Sequence, residues 1–142
     1  MAPEVTSALV WPVVGMVVLT IMVWLRMFQT RVGEMKRRRI HPQSVATSSQ
    51  MLQSVEDSRA ADNFRNLFEL PVLFYTAIAL ALYTGAGGTL MLVLAWVFVA
   101  LRVLHSAIHC TYNKVIHRFR AYVFGGFVLW ALWAVLVASW LA

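Results

Sequence analysis

Four polar side chains lie about one helical turn apart just before a long apolar segment. They are Asp62, Arg65, Asn66 and Glu69, in the stretch DNFRNLFELPVLFY. At about 100° per residue, a continuous helix places all four within an arc of roughly 100°. Two carboxylates, a guanidinium and an amide are costly at the mouth of a membrane helix, so we expect them to face protein or water. This stripe is therefore a candidate binding site.

A second polar set closes the next apolar segment, LRVLHSAIHCTY. Its members are Arg102, His105, His109 and Tyr112, whose spacings place them within an arc of about 80° on a helix. The charge of Arg102 lies about 20 Å along the helix from its start, inside the bilayer, and needs a partner there. We predict that Glu69 on the neighbouring helix is that partner.

The start of the last apolar segment adds Arg118 and Tyr122, which share a face at spacing i, i+4. Together, the three helix ends offer excess positive charge with a few carboxylates and amides. This chemistry suits a small zwitterionic molecule, with its carboxylates on arginines and its ammonium on Glu69 or Asp62. An apolar co-substrate can arrive through the lipid. The combination fits the joining of a polar thiol to a lipophilic electrophile.

Two other interpretations of these residues stay open. Arg102 and Glu69 can form a structural ion pair within the membrane, without any ligand. His105 and His109, at spacing i, i+4, can be zinc ligands of a metal-dependent membrane enzyme, although we predict no metal site. The single cysteine, Cys110, excludes an intrachain disulfide and is expected to be inert.

Composition identifies the kind of protein that carries these residues. Of 142 residues, 61% are hydrophobic and only 13% are charged, about half the charged fraction of a soluble domain. We predict an all-α integral membrane four-helix bundle, formed by residues 1–142 as one domain in contact with the lipid bilayer. The expected transmembrane spans are residues 8–27, 63–83, 89–110 and 122–140. Because most basic residues flank these spans, lipid headgroups rather than nucleic acid are their expected partners.

The distribution of basic residues predicts the orientation in the membrane. All 12 Lys and Arg lie in the polar segments 28–62 and 111–121 or in the adjoining helix ends. The positive-inside rule then places both segments in the cytoplasm and both termini outside, in a multi-pass protein. No basic residue precedes the first apolar run, so this run is expected to be a retained helix rather than a signal peptide.

Three motifs, taken together, resemble one family. N-x-x-E closely followed by Pro occurs at Asn66, Glu69 and Pro71, directly after Arg65. R-V-x-H-[S/T] begins at Arg102, and Arg-x-x-x-Tyr begins sixteen residues later. In this order and spacing they resemble the MAPEG family, the membrane-associated proteins of eicosanoid and glutathione metabolism. The likeness covers nearly the whole chain and is closest to the glutathione transferase and prostaglandin E synthase branch and its bacterial relatives.

The resemblance implies a homotrimer that binds glutathione between subunits on the cytoplasmic side. It implies a membrane-bound enzyme of detoxification, a glutathione-dependent transferase or peroxidase acting on lipophilic electrophiles. Arg118 matches the arginine that stabilises the thiolate, so the nucleophile is the sulfur of glutathione. Arg31, or alternatively Arg26, matches an arginine at the end of the first helix. The residues implied to hold glutathione are Arg65, Asn66, Glu69, Arg102, His105 and Tyr122, and we add His109, which stands where a tyrosine is common.

The chain also departs from the family pattern. Many glutathione-using members have R-x-x-x-N-x-x-E, whereas the first position here is Asp62. Phe119 follows Arg118, where the prostaglandin synthase has a serine, so prostaglandin synthesis is not predicted. The alternative hypothesis is a non-catalytic membrane protein of the same fold that binds a lipid or a partner subunit.

Overall fold

The computed structural model describes residues 3–141, and within this range the chain contains helices and no strand. This confirms the predicted all-α fold class. The predicted single domain also includes residues 1, 2 and 142, which lie outside the described range. The helices are α1 (Pro3–Ala8), α2 (Val10–Arg38), α3 (Ser48–Ser54), α4 (Arg59–Asn66), α5 (Leu70–Thr84), α6 (Thr89–Cys110) and α7 (Val115–Leu141), with a 3-10 turn at Pro42–Val45.

Within residues 3–141, four helical segments are long and apolar enough to cross a membrane. They are Glu4–Arg38, Arg59–Thr84, Thr89–Cys110 and Val115–Leu141, with mean hydropathies between 1.6 and 2.3 over their most apolar windows. Large apolar side chains on their outer faces, such as Trp11, Trp96 and Phe127, are exposed. In a chain of this composition such faces meet lipid, so the protein is a multi-pass integral membrane protein.

The bundle core lies where α5, α6 and α7 meet. Phe74 of α5 stacks on Phe98 of α6, with ring centroids 4.8 Å apart, and both side chains are fully buried. Leu129 and Leu132 of α7 are also buried in this cluster. Helix α2 packs on α4 and α6. The basic residues lie toward one end of the four long segments.

The second long segment is interrupted between α4 and α5. Pro71 lacks a backbone N–H, and its ring clashes with the carbonyl four residues earlier, so a regular helix cannot run through residues 67–70. The chain turns at Glu69, whose φ and ψ are −98° and −105°. The predicted stripe on a continuous helix is therefore wrong at Glu69, because this residue lies in the break, whereas Asp62, Arg65 and Asn66 lie on α4.

Helix α1 packs against the turn between α5 and α6. Gly85 adopts a left-handed conformation with φ of +67°, which glycine tolerates without strain. A Cβ atom at Gly87 would lie 2.8 Å from the Cα of Thr6. Only glycine lets the two backbones approach this closely, so α1 is seated on the turn at the end opposite the basic residues.

A buried carboxylate fastens the polar connection between α2 and α4. Glu34 of α2 is only 4% exposed. Its oxygens accept from the backbone N–H of Glu56 at 2.8 Å and of Asp57 at 3.2 Å, and from Arg38 Nη1 at 3.1 Å. The Arg59 guanidinium, 2.8 Å from Asp57, holds the pKa of that carboxyl below its usual value. These contacts fix where α4 begins, directly before the candidate site.

Candidate functional site

Arg102 is at the centre of the polar cluster and is fully buried. Its Nη2 donates to the backbone carbonyl of Asn66 at 2.9 Å, and its guanidinium carbon lies 5.7 Å from the centre of the Tyr122 ring. Its Nε and Nη1 have no hydrogen-bond partner among the described residues. A buried guanidinium with two unpaired nitrogens is costly unless an acceptor reaches it.

The helix break supplies the carbonyl that Arg102 uses. In a continuous helix the Asn66 carbonyl would accept from the N–H four residues later, at Leu70. Because α4 ends at Asn66, that carbonyl is a helix-terminal acceptor, and it accepts a long hydrogen bond from the backbone N–H of Glu69, at 3.4 Å. Pro71 thus affects the site indirectly, because the helix break before it leaves the Asn66 carbonyl at a helix end, where Arg102 of α6 donates to it.

The predicted ion pair between Arg102 and Glu69 is not formed. Among residues 3–141, no carboxylate lies within ion-pair distance of Arg102. The Glu69 side chain is exposed, and its Oε2 accepts from the Tyr122 hydroxyl at 3.4 Å. The break explains the difference, because it turns Glu69 away from the face of α4 that meets α6. Arg102 meets a neutral carbonyl and an aromatic face instead.

Hydrogen-bond partners place one ring proton on each histidine of α6. His105 Nδ1 lies 3.0 Å from the carbonyl oxygen of Arg118, so Nδ1 carries a proton, and in the neutral ring Nε2 is an acceptor. His109 Nε2 lies 2.6 Å from Arg118 Nη1, a donor, so its proton is on Nδ1. Both His105 Nε2 and His109 Nδ1 are buried without a partner in the described part of the chain.

Arg118 is held at the edge of the cluster by two side chains. Its Nη1 donates to His109 and also to Asn113 Oδ1 at 2.9 Å. Asn113 has φ of +49°, a conformation that Asn adopts more readily than most residues. The sequence analysis missed Asn113. The signal was present in TYNK, where an asparagine in a short connection favours a left-handed turn.

The α4 residues of the predicted site are engaged with one another. Arg65 is exposed and lies 3.6 Å from an oxygen of Asp62, whose other oxygen accepts from Ser58 at 2.7 Å. The Asn66 side chain donates to the Asp62 carbonyl at 3.1 Å. Asp62 therefore offsets part of the positive charge that Arg65 offers a ligand.

Arg31 and Arg65 lie together, but away from Arg102. Both line a cavity of about 200 Å³ between α2, α3 and α4, which also includes Ser58. Arg26, the alternative to Arg31, lines an apolar groove between α2 and α6 beside Cys110. The chain thus positions Arg102, His105, His109, Arg118 and Tyr122 as one cluster, with Glu69 at its rim and Arg31 and Arg65 in a neighbouring cavity.

Asn63 is a second residue that the sequence analysis missed. It is fully buried on α4, where Oδ1 accepts from Ser106 at 3.2 Å and Nδ2 donates to Cys110 Sγ at 3.4 Å. These contacts pin α4 to α6 and set the distance between Asn66 and Arg102. Cys110 is half-buried and engaged as an acceptor, which agrees with a packing role.

The cluster offers a specific set of unsatisfied groups to a ligand. Two guanidinium nitrogens of Arg102 and the Nδ1–H of His109 are donors, and Nε2 of a neutral His105 is an acceptor. Buried polar groups in folded proteins are nearly always paired with protein, water or ligand. A molecule with a carboxylate and an acidic X–H group matches this set. Within residues 3–141, no three His, Cys, Asp or Glu side chains converge as a metal site requires.

Comparison with known proteins identifies the family. The family model described as MAPEG matches residues 9–138, nearly the whole chain. The chain therefore belongs to the MAPEG family and is a membrane protein of glutathione and eicosanoid metabolism. No curated protein and no solved structure matches it.

Proposed function

We propose that this MAPEG-family protein is a glutathione-dependent transferase or peroxidase that acts on lipophilic electrophiles. One observation carries the proposal: Arg102 is fully buried, yet two of its nitrogens have no partner in the described chain. A carboxylate of glutathione is an acceptor that fits a guanidinium fork. The family membership supports glutathione as the molecule that brings it.

The surrounding residues suit the remaining groups of this zwitterionic tripeptide. Arg65 and Arg31, which line the neighbouring cavity, offer cations for a second carboxylate. Glu69 offers an exposed carboxylate for the ammonium group, beside the Tyr122 hydroxyl. Asn66 contributes the carbonyl that orients Arg102. In this proposal these residues bind and orient glutathione, and none of them reacts.

In this proposal, Arg118 stabilises the thiolate of glutathione and His105 accepts the thiol proton. A cation next to sulfur favours the thiolate over the thiol, and Arg118 is positioned for this role by Asn113 and His109. The unpaired Nε2 of His105 is an acceptor for a thiol proton. The thiolate then attacks the electrophilic carbon, an S–C bond forms, and the leaving group departs with its electrons.

We also propose how the site is oriented in the membrane and which subunits form it. By the positive-inside rule, the end of the bundle that holds the cluster faces the cytoplasm and both termini lie outside. By family resemblance, three subunits form the functional unit, and a neighbour covers the exposed side of Glu69. A lipophilic substrate then reaches the sulfur from the bilayer while glutathione enters from water.

Ultraviolet difference absorbance at the thiolate band tests this function. Glutathione is titrated at neutral pH into the detergent-purified protein and into Arg118→Ala. We expect a saturable thiolate signal in the wild type and its loss in Arg118→Ala, with Arg118→Lys retaining part of it. Arg37→Ala is the matched control, because Arg37 is exposed on α2 outside the cluster, and it should keep the full signal.

Two results would contradict the proposal. One is a wild-type protein that is folded but gives no thiolate signal at saturating glutathione. The other is an equal loss of signal in Arg118→Ala and Arg37→Ala, which would indicate a general charge effect rather than a site. Circular dichroism and size-exclusion profiles of each variant separate these results from misfolding.

A second candidate function follows from Asp62. This carboxylate lies 3.6 Å from Arg65 and weakens the positive field where many glutathione-using relatives add a cation. A protein of the same fold that binds a lipid or partner subunit without catalysis needs no such cation. An intact oligomer that ignores glutathione in the titration above would favour this candidate.

A further inference from the structure

A groove between α6 and α7 is lined by residues other than those of the candidate cluster. It has a volume of about 350 Å³. Its wall is apolar and includes Leu101, Leu104 and Phe124, of which Leu104 and Phe124 are more than half exposed. One end of the groove is polar and is formed by Tyr112, His117 and Arg120.

Arg118 and Arg120 point in opposite directions from α7. At about 100° per residue, positions two apart differ by roughly 200° around a helix. Arg118 contacts His109 and Asn113 in the candidate site, whereas Arg120 lines the groove. Within residues 3–141, Arg120 is exposed and makes no ion pair, so its guanidinium is available to an anion from outside.

The polar end of the groove is an ordered pair of side chains beside this cation. The Tyr112 hydroxyl lies 3.1 Å from His117 Nδ1, and the two rings meet edge to face with centroids 5.8 Å apart. This contact spans the connection between α6 and α7. In either tautomer of a neutral His117, this pair keeps one donor next to Arg120, the Tyr112 hydroxyl or the His117 Nε2–H, that suits a phosphate oxygen.

We propose that this groove binds one anionic phospholipid, with its phosphate at Arg120 and an acyl chain along Leu104 and Phe124. The position supports this occupant, because the groove joins an apolar wall within a membrane-spanning segment to a free cation at the segment's end. Anionic headgroups gather at basic residues in this position. A free phosphate would satisfy Arg120 alone and would leave the apolar wall without a partner.

Native mass spectrometry of the detergent-purified protein tests the proposal. The probes are dioleoylphosphatidylglycerol, dioleoylphosphatidylcholine and inorganic phosphate, offered at equal concentrations. We expect the wild type to retain phosphatidylglycerol roughly fivefold better than phosphatidylcholine, the effect expected of one basic residue at a membrane surface. Arg120→Gln should lower that preference by more than the loss of one basic residue elsewhere on the surface does. Leu104→Gln should weaken retention of both lipids, because it makes the apolar wall polar.

Arg37→Gln is the matched control, since it removes the same charge from an exposed position on α2. The proposal is overturned if Arg37→Gln reduces the lipid preference as much as Arg120→Gln does, or if the wild type retains both lipids equally. Displacement of phosphatidylglycerol by inorganic phosphate at equal concentration would also overturn it, because the site would then be one for a free anion. Retained helicity in each variant shows that the fold is intact.

Discussion

The two halves of the helix bundle both contain fully buried side chains, but they differ in how many buried polar atoms lack a hydrogen-bond partner. Toward the turn that carries Gly87, the buried side chains include Met91, Ala95 and Leu136, all fully enclosed and apolar. One indole N–H, that of Trp133, lacks a partner there among the described residues. Toward the basic end, a guanidinium and two imidazoles are buried with unpaired nitrogens.

The difference in unpaired polar atoms indicates different roles for the two halves of the bundle. The apolar half is explained by packing, because close contacts between helices stabilise a bundle in lipid. The polar half is not explained by packing, since burying unpaired charged or polar groups opposes folding. The basic end therefore gives up stability, and a ligand that pairs with those groups recovers it.

The largest expected effect is on stability in the apolar half. Leu136→Ala removes a fully buried side chain and leaves a cavity, so the free energy of unfolding should fall by about 3 kcal/mol. Denaturation in mixed micelles measures it. The thiolate signal with glutathione should persist under folding conditions. An unchanged stability would show that packing in this half is looser than the structure indicates.

Arg102→Met should have the opposite effects from Leu136→Ala, with glutathione affinity lost and stability kept. The apolar chain has similar length and removes a buried, partly unpaired guanidinium, so the free energy of unfolding should stay unchanged or rise, by up to about 4 kcal/mol. Glutathione affinity should fall at least tenfold, because a charge-assisted hydrogen bond is worth roughly 1.5–3 kcal/mol. Calorimetric titration and denaturation are measured on the same preparation. A large loss of stability with unchanged affinity would assign Arg102 to the scaffold and remove the contrast between the halves.

Asp62→Asn, a change in the polar half, should increase glutathione affinity by a smaller factor. It keeps the shape and an acceptor for Ser58 but frees Arg65 from a carboxylate 3.6 Å away. An exposed ion pair of this kind is worth up to about 1 kcal/mol, so glutathione should bind roughly two- to fivefold more tightly. Glu56→Gln is the control, because it removes an equally negative but distant and exposed carboxylate. Equal gains in both variants would point to net charge alone.

The smallest effect concerns the connection that leads into the site. Arg59 lowers the pKa of Asp57 from its ordinary 3.8. The stabilisation is therefore fully present above about pH 4 and is lost as the pH falls through the lower, folded value. Thermal unfolding at pH 5 and pH 3 should show a smaller acid-induced drop in Asp57→Asn than in the wild type. An identical drop in both would show that this ion pair does not couple to folding.

Much of the fold was predictable because apolar length and charge placement are properties of the sequence itself. Hydropathy predicted four spans, and the structure contains four helices suited to crossing a membrane. Helical spacing predicted a shared face for Arg102, His105, His109 and Tyr112. The first three are buried on α6, but Tyr112 follows the end of that helix and is exposed, so the prediction was wrong for Tyr112.

The partners of those residues were not predictable in the same way. Arg102 binds a backbone carbonyl, which no side-chain pattern reveals, and that carbonyl lies at a helix end because the helix breaks before Pro71. The contact between Arg118 and His109 depends on the left-handed turn at Asn113. Such contacts are set by local backbone geometry, whereas periodicity specifies only which face a residue occupies.

The central claim is that the unpaired nitrogens around Arg102 belong to a thiol-activating glutathione site. The most direct measurement is the ultraviolet thiolate absorbance of the wild type, titrated with glutathione beside Arg102→Met and Arg118→Ala. The account predicts a saturable signal in the wild type, a much weaker affinity in Arg102→Met, and no thiolate in Arg118→Ala. A folded wild type without a thiolate signal, or an Arg102→Met variant that titrates like the wild type, would contradict it.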